Sequence, residues 1–471
     1  MYYIRKDERG LVWNPISWSC ITVFLFLQVT AGAYAQIDPG IRGGAPGAGL
    51  PFTTGLTGSE LAFFNDVGVK EFNEIEQVED GLGPRFNLDS CAGCHLFPAI
   101  GGSSPPMNNP LVMRAPTMAP GSTVPSFLKI DGPIREVRFI RQTQVNSERG
   151  RRSDRHDDED EARKSNAPLD GQVHNIFTIV GRSDNPEGCK IKQPDFSDTR
   201  NMIFRIPTPL FGLGLIESIT DATIKNNLAS DPTGLKRLLG IRGSVNTNGN
   251  DGTVTRFGWK AQNKSLLLFS GEAYNVEMGV TNEFFPNERS EDPKCATNPL
   301  PENRTGFGAE TEPSNLVAFM TFVRFMDQPT PACGTAGQPT CSPSVVNGRA
   351  LFEWIGCSGC HTPSLPTGLS YTEALNQKQA KLFSDLALHH MGSGLADDII
   401  QGKAGPDEFR TAPLWGIGQR AFFLHDGRTN DLLKAIYAHA SPGSEASRVI
   451  GLFHRLTASQ RQDILNFLRS L

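Results

Sequence analysis

Two copies of one five-residue pattern constrain this chain more than any other feature of its sequence. The pattern C-x-x-C-H reads CAGCH at residues 91–95 and CSGCH at residues 357–361. Two thiols on one turn can add to the vinyl groups of one haem, and the histidine that follows lies beneath the iron. A zinc site or a thioredoxin-like thiol pair would leave both histidines unexplained. The pattern predicts two covalently bound c-type haems, attached through Cys91, Cys94, Cys357 and Cys360 and ligated by His95 and His361.

The composition is that of a folded globular chain. Its 471 residues are 38% hydrophobic and 20% charged, with a formal net charge of −5. This length accommodates two or three domains, and the composition excludes a disordered or collagen-like chain. Because there is no basic excess, we expect no nucleic-acid partner. With 48 Gly and 33 Pro, much of the backbone must be loop and turn, so purely helical packing of the whole chain is not expected.

The N-terminal 35 residues have the pattern of an export signal. Arg5, Lys6 and Arg9 form a basic segment, residues 16–29 are mostly apolar, and an A-x-A cleavage pattern occupies residues 33–35. The alternative is a membrane anchor, but the apolar run is short for a span. We expect residues 1–35 to be removed as a signal peptide, which leaves a periplasmic chain without a stable membrane span.

Four further cysteines remain in the mature chain outside the two motifs. An even number of cysteines in an exported protein predicts disulfides. We expect Cys333–Cys341 across a loop rich in proline and glycine, and Cys189–Cys295, although four cysteines allow three connectivities.

The two motifs divide the mature chain into two predicted haem domains. We expect a first haem domain at 36–326, a linker at 327–343 and a C-terminal cytochrome c domain at 344–471. A capping box at Thr457 and Gln460 predicts the closing helix of that last domain. The predicted fold is mainly α, with two cytochrome c-type haem domains, the first of which is enlarged by long loops and some β structure.

Several motifs follow one another in an order that resembles a known family. The chain resembles the bacterial di-haem oxidoreductases, which are relatives of the di-haem cytochrome c peroxidases and the MauG-type enzymes. The resemblance covers nearly the whole mature chain and is carried by SCAGCHLFPAIGG (90–102), FRIPTPLFGLGLIESI (204–219), RFGWKA (256–261), EMGVTN (277–282) and the segment 409–427. An internal echo between RIPTPLFGLG (205–214) and RTAPLWGIG (410–418) suggests a duplicated unit.

The resemblance implies a second ligand for the second iron. In the relatives this ligand follows the histidine of the H-D/S-G motif by fourteen residues, which counts from His425 to His439. Peroxidases have methionine there and MauG-type enzymes tyrosine, so a histidine implies a bis-histidine, low-spin haem of lower potential. His389, His390 and Met391 compete for this role, and His439 is alternatively a surface residue near a helix end. We expect His425 to bind a haem propionate or the backbone.

The resemblance also implies two catalytic residues near the first haem. Glu277 matches the distal acid that moves protons at bound peroxide, with an ordinary surface glutamate as the alternative. Trp259 matches the tryptophan that relays electrons between the haems, with a core tryptophan as the alternative and Trp415 or Trp354 as substitutes. Two departures stand against the assignment of Glu277. It is two residues closer to Trp259 than in the peroxidases, and Phe269 stands in place of the distal glutamine.

The predicted function is that of an exported, peroxidase-like di-haem oxidoreductase. A small redox donor protein, a cytochrome c or a cupredoxin, delivers electrons to the second haem, and peroxide or a small oxidisable substrate reacts at the first. Calcium between the domains is expected from the relatives, without assigned ligands. The alternatives are an electron-transfer cytochrome, or an oxidase or oxygenase of an organic or protein substrate. The state of the first iron separates these alternatives. His174, Met107 or Met113 could be its sixth ligand, or its sixth position could be open.

Overall fold

The chain folds into a helix-rich structure with small sheets, as the sequence predicts. The computed structural model describes residues 36–43, 48–142, 169–290, 292–303 and 314–471, so the predicted signal peptide lies outside it. No helix in these ranges combines the length and the apolar character that a membrane span requires.

The helices are short for a chain of this length, and most are joined by irregular segments. The α-helices of the described ranges are α1 (Gly58–Ala62), α2 (Val69–Asn73), α3 (Cys91–Cys94), α4 (Pro110–Met113), α5 (Ala115–Met118), α6 (Leu213–Ser218), α7 (Asp221–Ala229), α8 (Leu235–Leu239), α9 (Leu266–Ala273), α10 (Asn315–Phe325), α11 (Pro343–Trp354), α12 (Leu432–Ala438), α13 (Ser447–Arg455) and α14 (Ala458–Ser470). Wider π-helical turns at Phe63–Gly68 and Tyr274–Met278 continue α1 and α9.

The strands of the described residues pair into four antiparallel two-stranded sheets. They are β1 (Arg85–Phe86) with β3 (Phe177–Thr178), β2 (Glu136–Phe139) with β4 (Met202–Arg205), β5 (Leu365–Pro366) with β6 (Gln379–Ala380), and β7 (Leu388–His390) with β8 (Glu408–Arg410). The β2–β4 pair is the longest and sets Glu136 opposite Arg205. These sheets stiffen loops rather than form a layer, because none has more than two strands.

The first hydrophobic core forms where the helical segment 58–73 packs on α10. Phe64 and Phe322 stack with ring centroids 4.9 Å apart, and Phe72 stacks on Phe319 at 5.8 Å. Gly68 makes the close approach possible, since a Cβ there would lie 2.7 Å from Cβ of Phe322. The resulting aromatic cluster supports the loop that leads into α3.

The second core forms where the closing helix α14 packs on α11. The predicted capping box is confirmed, because Thr457 and Gln460 each bond the other's backbone N–H. Gly348 of α11 touches α14 so closely that a Cβ would lie 1.9 Å from the carbonyl oxygen of Asp463. The apolar face of α14 is buried against this contact, through Ile464, Leu465, Phe467 and Leu468.

The two cores exchange segments across the predicted domain boundary. Leu365 and Leu386, which follow the second motif, pack in the first core, whereas Leu239 packs in the second. A buried ion pair with N···O of 2.6 Å joins Arg205 of β4 to Asp397. The boundaries at 326 and 344 stay a prediction, and the two halves are joined by more than the linker.

The predicted disulfides are both present. Cys189 and Cys295 are bonded with Cα atoms 4.7 Å apart, and Cys333 and Cys341 with Cα atoms 5.1 Å apart. The first closes a separation of 106 residues and the second a separation of 8.

Removal of the longer disulfide is expected to destabilise the protein more. In the chain-entropy relation, closing 106 residues contributes about 5 kcal/mol and closing 8 residues about 2.5 kcal/mol. We expect the C189A/C295A double variant to lose about twice as much free energy of unfolding as C333A/C341A, measured by urea denaturation. Equal losses, or a larger loss in C333A/C341A, would contradict this order.

Candidate functional site

The first motif lines a cavity in the first core. The one-turn helix α3 carries Cys91 and Cys94, and His95 follows directly. The ring of His95 is held by a hydrogen bond between Nδ1 and the carbonyl oxygen of Gly102 at 3.0 Å. A metal-binding histidine is usually oriented in this way through its second nitrogen, which makes Nε2 the candidate ligand atom.

The second motif lines a second cavity together with the predicted partner histidine. His361 has its Nδ1 3.0 Å from the carbonyl oxygen of Phe383. His439, at the end of α12, has its Nδ1 2.7 Å from the carbonyl oxygen of Ala435 and lines the same cavity. Burial, and then the nearby His439, lower the pKa of His361 to about 4, so this ring is neutral at physiological pH. Two neutral imidazoles held by backbone carbonyls suit one metal.

Both cavities fit a bulky group attached through sulfur. The four motif thiols are unpaired in the structure, and burial raises the pKa of each of them. Within the described ranges no group of three His, Cys, Asp or Glu side chains is arranged around a metal ion. The cavities hold about 1140 and 1410 Å³ free of protein atoms, their open mouths included, which is ample for a cofactor.

The competitors of His439 have other contacts. His389 is buried, with Nε2 2.9 Å from Asp385 and Nδ1 2.9 Å from Glu445, so both ring nitrogens are engaged. His390 points to carboxylates at the surface. His389 and Met391 both line the second cavity, but only the side chain of Met391 has no other polar contact among the described residues. The assignment of His439 stays a prediction, with Met391 as the remaining alternative.

Trp259 lies between the two cavities and lines both. Its indole Nε1 donates a hydrogen bond to the carbonyl oxygen of Ile206 at 2.9 Å, and its ring meets that of His425 edge-on with centroids 6.3 Å apart. The alternates are placed elsewhere. Trp415 packs in the first core and does not line either cavity, and Trp354 is 69% exposed.

His425 lines the second cavity beside Trp259. Its ring stacks on Phe409 with centroids 4.3 Å apart, and burial lowers its pKa to about 4. Its backbone carbonyl oxygen accepts a hydrogen bond from the N–H of Ile206 at 2.7 Å. His425 thus contributes an apolar wall through its neutral ring and ties the two halves of the chain through its backbone.

Glu277 lies in the wall of the first cavity as half of a carboxyl pair. Burial, and then the neighbouring Glu136 carboxylate, raise the pKa of Glu277 to about 8. The two carboxyl groups share a hydrogen bond, and Nδ2 of Asn87 donates to Glu277 at 2.6 Å. Arg138 forms an ion pair with Glu136. Glu277 thus lies in a cavity wall, and its catalytic role stays a prediction. The pair favours holding a proton because two adjacent, poorly solvated carboxyl groups resist full ionisation.

Glu136 and Arg138 are the residues that the sequence analysis missed. They alternate along β2, so that both side chains lie on the face that lines the first cavity. Phe269, which stands where the relatives have glutamine, lines this cavity too, as does Glu272. The sequence signal for these two residues is the alternation of charged and apolar side chains in EVR (136–138), which is typical of a strand. This alternation does not indicate that Glu136 lies close to Glu277.

None of the three candidates for closing the first iron lines the first cavity. His174 pairs with Asp170 at 2.9 Å, and its ring contacts that of Phe139 at an interplanar angle of 40°. Met107 packs in the first core, and Met113 is 55% exposed. Among the described residues the first cavity is therefore lined by one histidine, whereas four line the second: His361, His389, His425 and His439.

The internal echo of the sequence has a structural counterpart. Arg205 ends β4 and lines the first cavity, and Arg410 ends β8 and lines the second. Each segment then reaches a glycine of positive φ, Gly212 at 67° and Gly416 at 71°. The segments also meet, since a Cβ on Gly212 would lie 2.7 Å from the ring of Trp415. The echoed segments thus occupy matching positions beside the two cavities.

The fold and the site define a helix-rich protein with two cavities, each lined by a C-x-x-C-H motif. A family model described as "Di-haem oxidoreductase, putative peroxidase" matches residues 169–471, which is more than half of the chain. The chain therefore belongs to the di-haem oxidoreductase family, as the resemblance implied, and this membership implies haem cofactors. The matched range includes the second motif, Trp259, Glu277 and His439, and it begins after the first motif.

Solved structures show only a distant likeness. A MauG-like protein associated with microbial copper homeostasis is 18% identical, over 56% of this chain and 89% of that one, with a TM-score of 0.31. The diheme peroxidase BthA from Burkholderia thailandensis E264 is 15% identical, over 64% of this chain and 94% of that one, with a TM-score of 0.27. Hydrazine synthase of Kuenenia stuttgartiensis is 19% identical over 33% of this chain, which spans 55% of that one, with a TM-score of 0.23. A comparison with curated protein sequences yields no match.

Proposed function

We propose that this chain is an exported di-haem c-type oxidoreductase that reduces peroxide at its first cavity. One observation carries the proposal. Two histidines of the second cavity, His361 and His439, are held through Nδ1 by backbone carbonyls, whereas the first cavity is lined by one histidine and a half-buried pair of carboxyl groups. The reduction of peroxide needs an open coordination position on the iron and a group that holds a proton beside it. An electron carrier needs neither.

The chain's own residues would hold the two groups in different ways. When bound, a haem supplies an iron that exchanges single electrons and, where a coordination position is open, binds peroxide. Cys91 and Cys94 would anchor the first haem with His95 as its single histidine ligand. Cys357 and Cys360 would anchor the second, with His361 and His439 as its ligands. This arrangement corresponds to two cytochrome c-type haem domains in one chain.

The carboxyl pair supplies the protons that peroxide reduction requires. Reduction of peroxide to two water molecules consumes two protons, which a positioned acid–base group can deliver. Glu277 can pass its proton on while Glu136 accepts another through their shared hydrogen bond. Asn87 holds the Glu277 carboxyl in place, and Arg138 stabilises the charge on Glu136. The side chain of Phe269 cannot bind or release a proton, so proton transfer in this cavity would depend on the carboxyl pair.

Electrons would pass between the cavities by way of Trp259. Its indole is the aromatic side chain that borders both cavities, and its hydrogen bond to Ile206 fixes the ring plane. A small redox protein of the periplasm, a cytochrome c or a cupredoxin, would deliver the electrons at the second cavity. Export by residues 1–35 would place both proteins in one compartment.

Denatured wild-type protein is expected to retain the mass of two haems, because thioether bonds survive unfolding. The C357A/C360A variant should retain one haem, and C91A/C94A should retain the other. Intact mass spectrometry measures the number directly. The C333A/C341A variant, which removes two cysteines outside the motifs and the less stabilising disulfide, is the matched control and should retain two. A wild-type mass without added haem would contradict covalent attachment.

Electron paramagnetic resonance of the ferric protein, before and after half-reduction, tests the proposed function. One high-spin and one low-spin signal would support an open first haem, and peroxide turnover is the next assay. Two low-spin signals, one of which becomes high-spin on half-reduction, would indicate an enzyme that needs reductive activation. Two low-spin signals that persist after half-reduction would overturn the proposal in favour of an electron carrier.

A further inference from the structure

A buried tyrosine in the wall of the first cavity, Tyr274, donates a hydrogen bond to a carboxyl group that has no role in the proposed reduction of peroxide. Tyr274 begins the π-helical turn that carries Glu277, and only 2% of its surface is exposed. It borders the first cavity together with Cys91 and Cys94. Its hydroxyl Oη donates a hydrogen bond to Oε1 of Glu71, a buried carboxyl group of α2.

The hydrogen-bond acceptor distinguishes Tyr274 from the other aromatic donor of this cavity. Nε1–H of Trp259 donates to the carbonyl oxygen of Ile206, and an amide oxygen does not take up a proton near neutral pH. Oη–H of Tyr274 donates to a carboxyl group, which does. Oxidation of Trp259 would therefore leave a charged radical in a buried site, whereas oxidation of Tyr274 can leave a neutral one.

We propose that Tyr274 is a redox-active residue of the first cavity, which gives up an electron when peroxide is reduced there and passes its phenolic proton to Glu71. The inference rests on the proposed peroxidase function. Tyr274 would thus supply an electron when the donor protein cannot, and so keep oxidising equivalents from damaging other groups of the cavity.

The step balances in atoms and electrons. Peroxide takes up two electrons and two protons, its O–O bond breaks, and two water molecules form. Tyr274 supplies one of the electrons, its O–H bond breaks, and the proton bonds to Glu71, which leaves a neutral phenoxyl radical. The second electron comes by way of Trp259 from the haem of the second cavity, which the donor protein later reduces. The two protons come from the Glu277–Glu136 pair and from water. An electron from the donor protein later reduces the radical, and Glu71 returns the proton.

The surroundings of Glu71 suit a reversible proton acceptor. Burial is the main cause that raises the pKa of Glu71 to about 7, so its carboxylate binds a proton more tightly than an exposed one. Glu74, which is half-buried, makes a hydrogen bond with it and connects it to the surface. Glu76 is buried nearby and has one carboxyl oxygen without a hydrogen bond. Lys70 is the cation that faces the group.

The test uses the full haem-loaded ferric protein without donor, labelled with ring-deuterated tyrosine, and rapid freezing after peroxide is added. We expect a radical signal that the label narrows in the wild type and that falls at least tenfold in Tyr274→Phe and in Glu71→Gln. Tyr437→Phe, which removes a hydroxyl outside both cavities, is the matched control and should keep the signal. The Glu71→Gln variant keeps Tyr274 and its packing, so its result separates loss of the proton acceptor from misfolding.

Two outcomes would overturn the inference while the proposed function stands. One is consumption of peroxide in the same samples without a tyrosyl signal, and the other is a signal that persists in Tyr274→Phe. If peroxide is not consumed, the proposed function fails. A photogenerated ruthenium polypyridyl oxidant then replaces peroxide, and identical tyrosyl yields in the wild type and Tyr274→Phe would overturn the inference as well.

Discussion

Glu277→Gln is expected to lower peroxide turnover by a factor of about 10² to 10⁴, the usual contribution of a positioned acid–base group. Glutamine has the shape of glutamate and can accept the hydrogen bond from Asn87, but it cannot bind or release a proton at neutral pH. Since Glu277 shares its proton with Glu136, the substitution also ends exchange within the pair. The measurement is steady-state reduction of peroxide with a reduced small cytochrome as donor.

Glu302→Gln is the matched control for this experiment. Burial raises the pKa of Glu302 as well, and its carboxyl group accepts hydrogen bonds from Thr281 and Asn298, but it does not line the first cavity. We expect Glu302→Gln to stay within a few-fold of the wild type. A Glu277→Gln variant that binds both haems and turns over as fast as Glu302→Gln would rule out a proton-transfer role for Glu277.

Local patterns of the sequence predicted the features that depend on neighbouring residues. The C-x-x-C-H spacing alone brings each thiol pair and histidine into one cavity wall, since four residues make one turn. The capping box at Thr457 likewise involves groups only three residues apart. The two disulfides were predicted from the even number of remaining cysteines and from the export signal, which implies an oxidising compartment. No geometric information entered that prediction.

Contacts between distant segments could not be read in the same way. The Glu136–Glu277 pair joins β2 to a π-helical turn 141 residues later, and no periodicity connects them. The exchange of segments between the two cores depends on tertiary packing too, as does the Arg205–Asp397 ion pair. Resemblance to a family named Glu277 and Trp259 as candidates, but the groups that contact them depend on tertiary packing.

The other large effect is expected at the second cavity. His439→Met would replace an imidazole ligand by a thioether, which stabilises the reduced iron. We expect the second haem to stay low-spin and its potential to rise by several tens of millivolts or more, within the range of about 0.8 V that axial ligands span. The driving force for electron transfer toward the first cavity then falls, so turnover falls with it. Potentiometric titration followed by absorbance measures the change.

A second histidine of the same domain provides the control for the ligand assignment. His454 is exposed on α13, stacks on Tyr437 and does not line either cavity, so His454→Met should leave both potentials unchanged. His439→Ala should convert the second haem to high-spin, because alanine offers no ligand atom. If that haem stays low-spin in His439→Ala and its potential is unmoved in His439→Met, His439 is not the ligand. Met391, which lines the same cavity, would then be the residue to replace next.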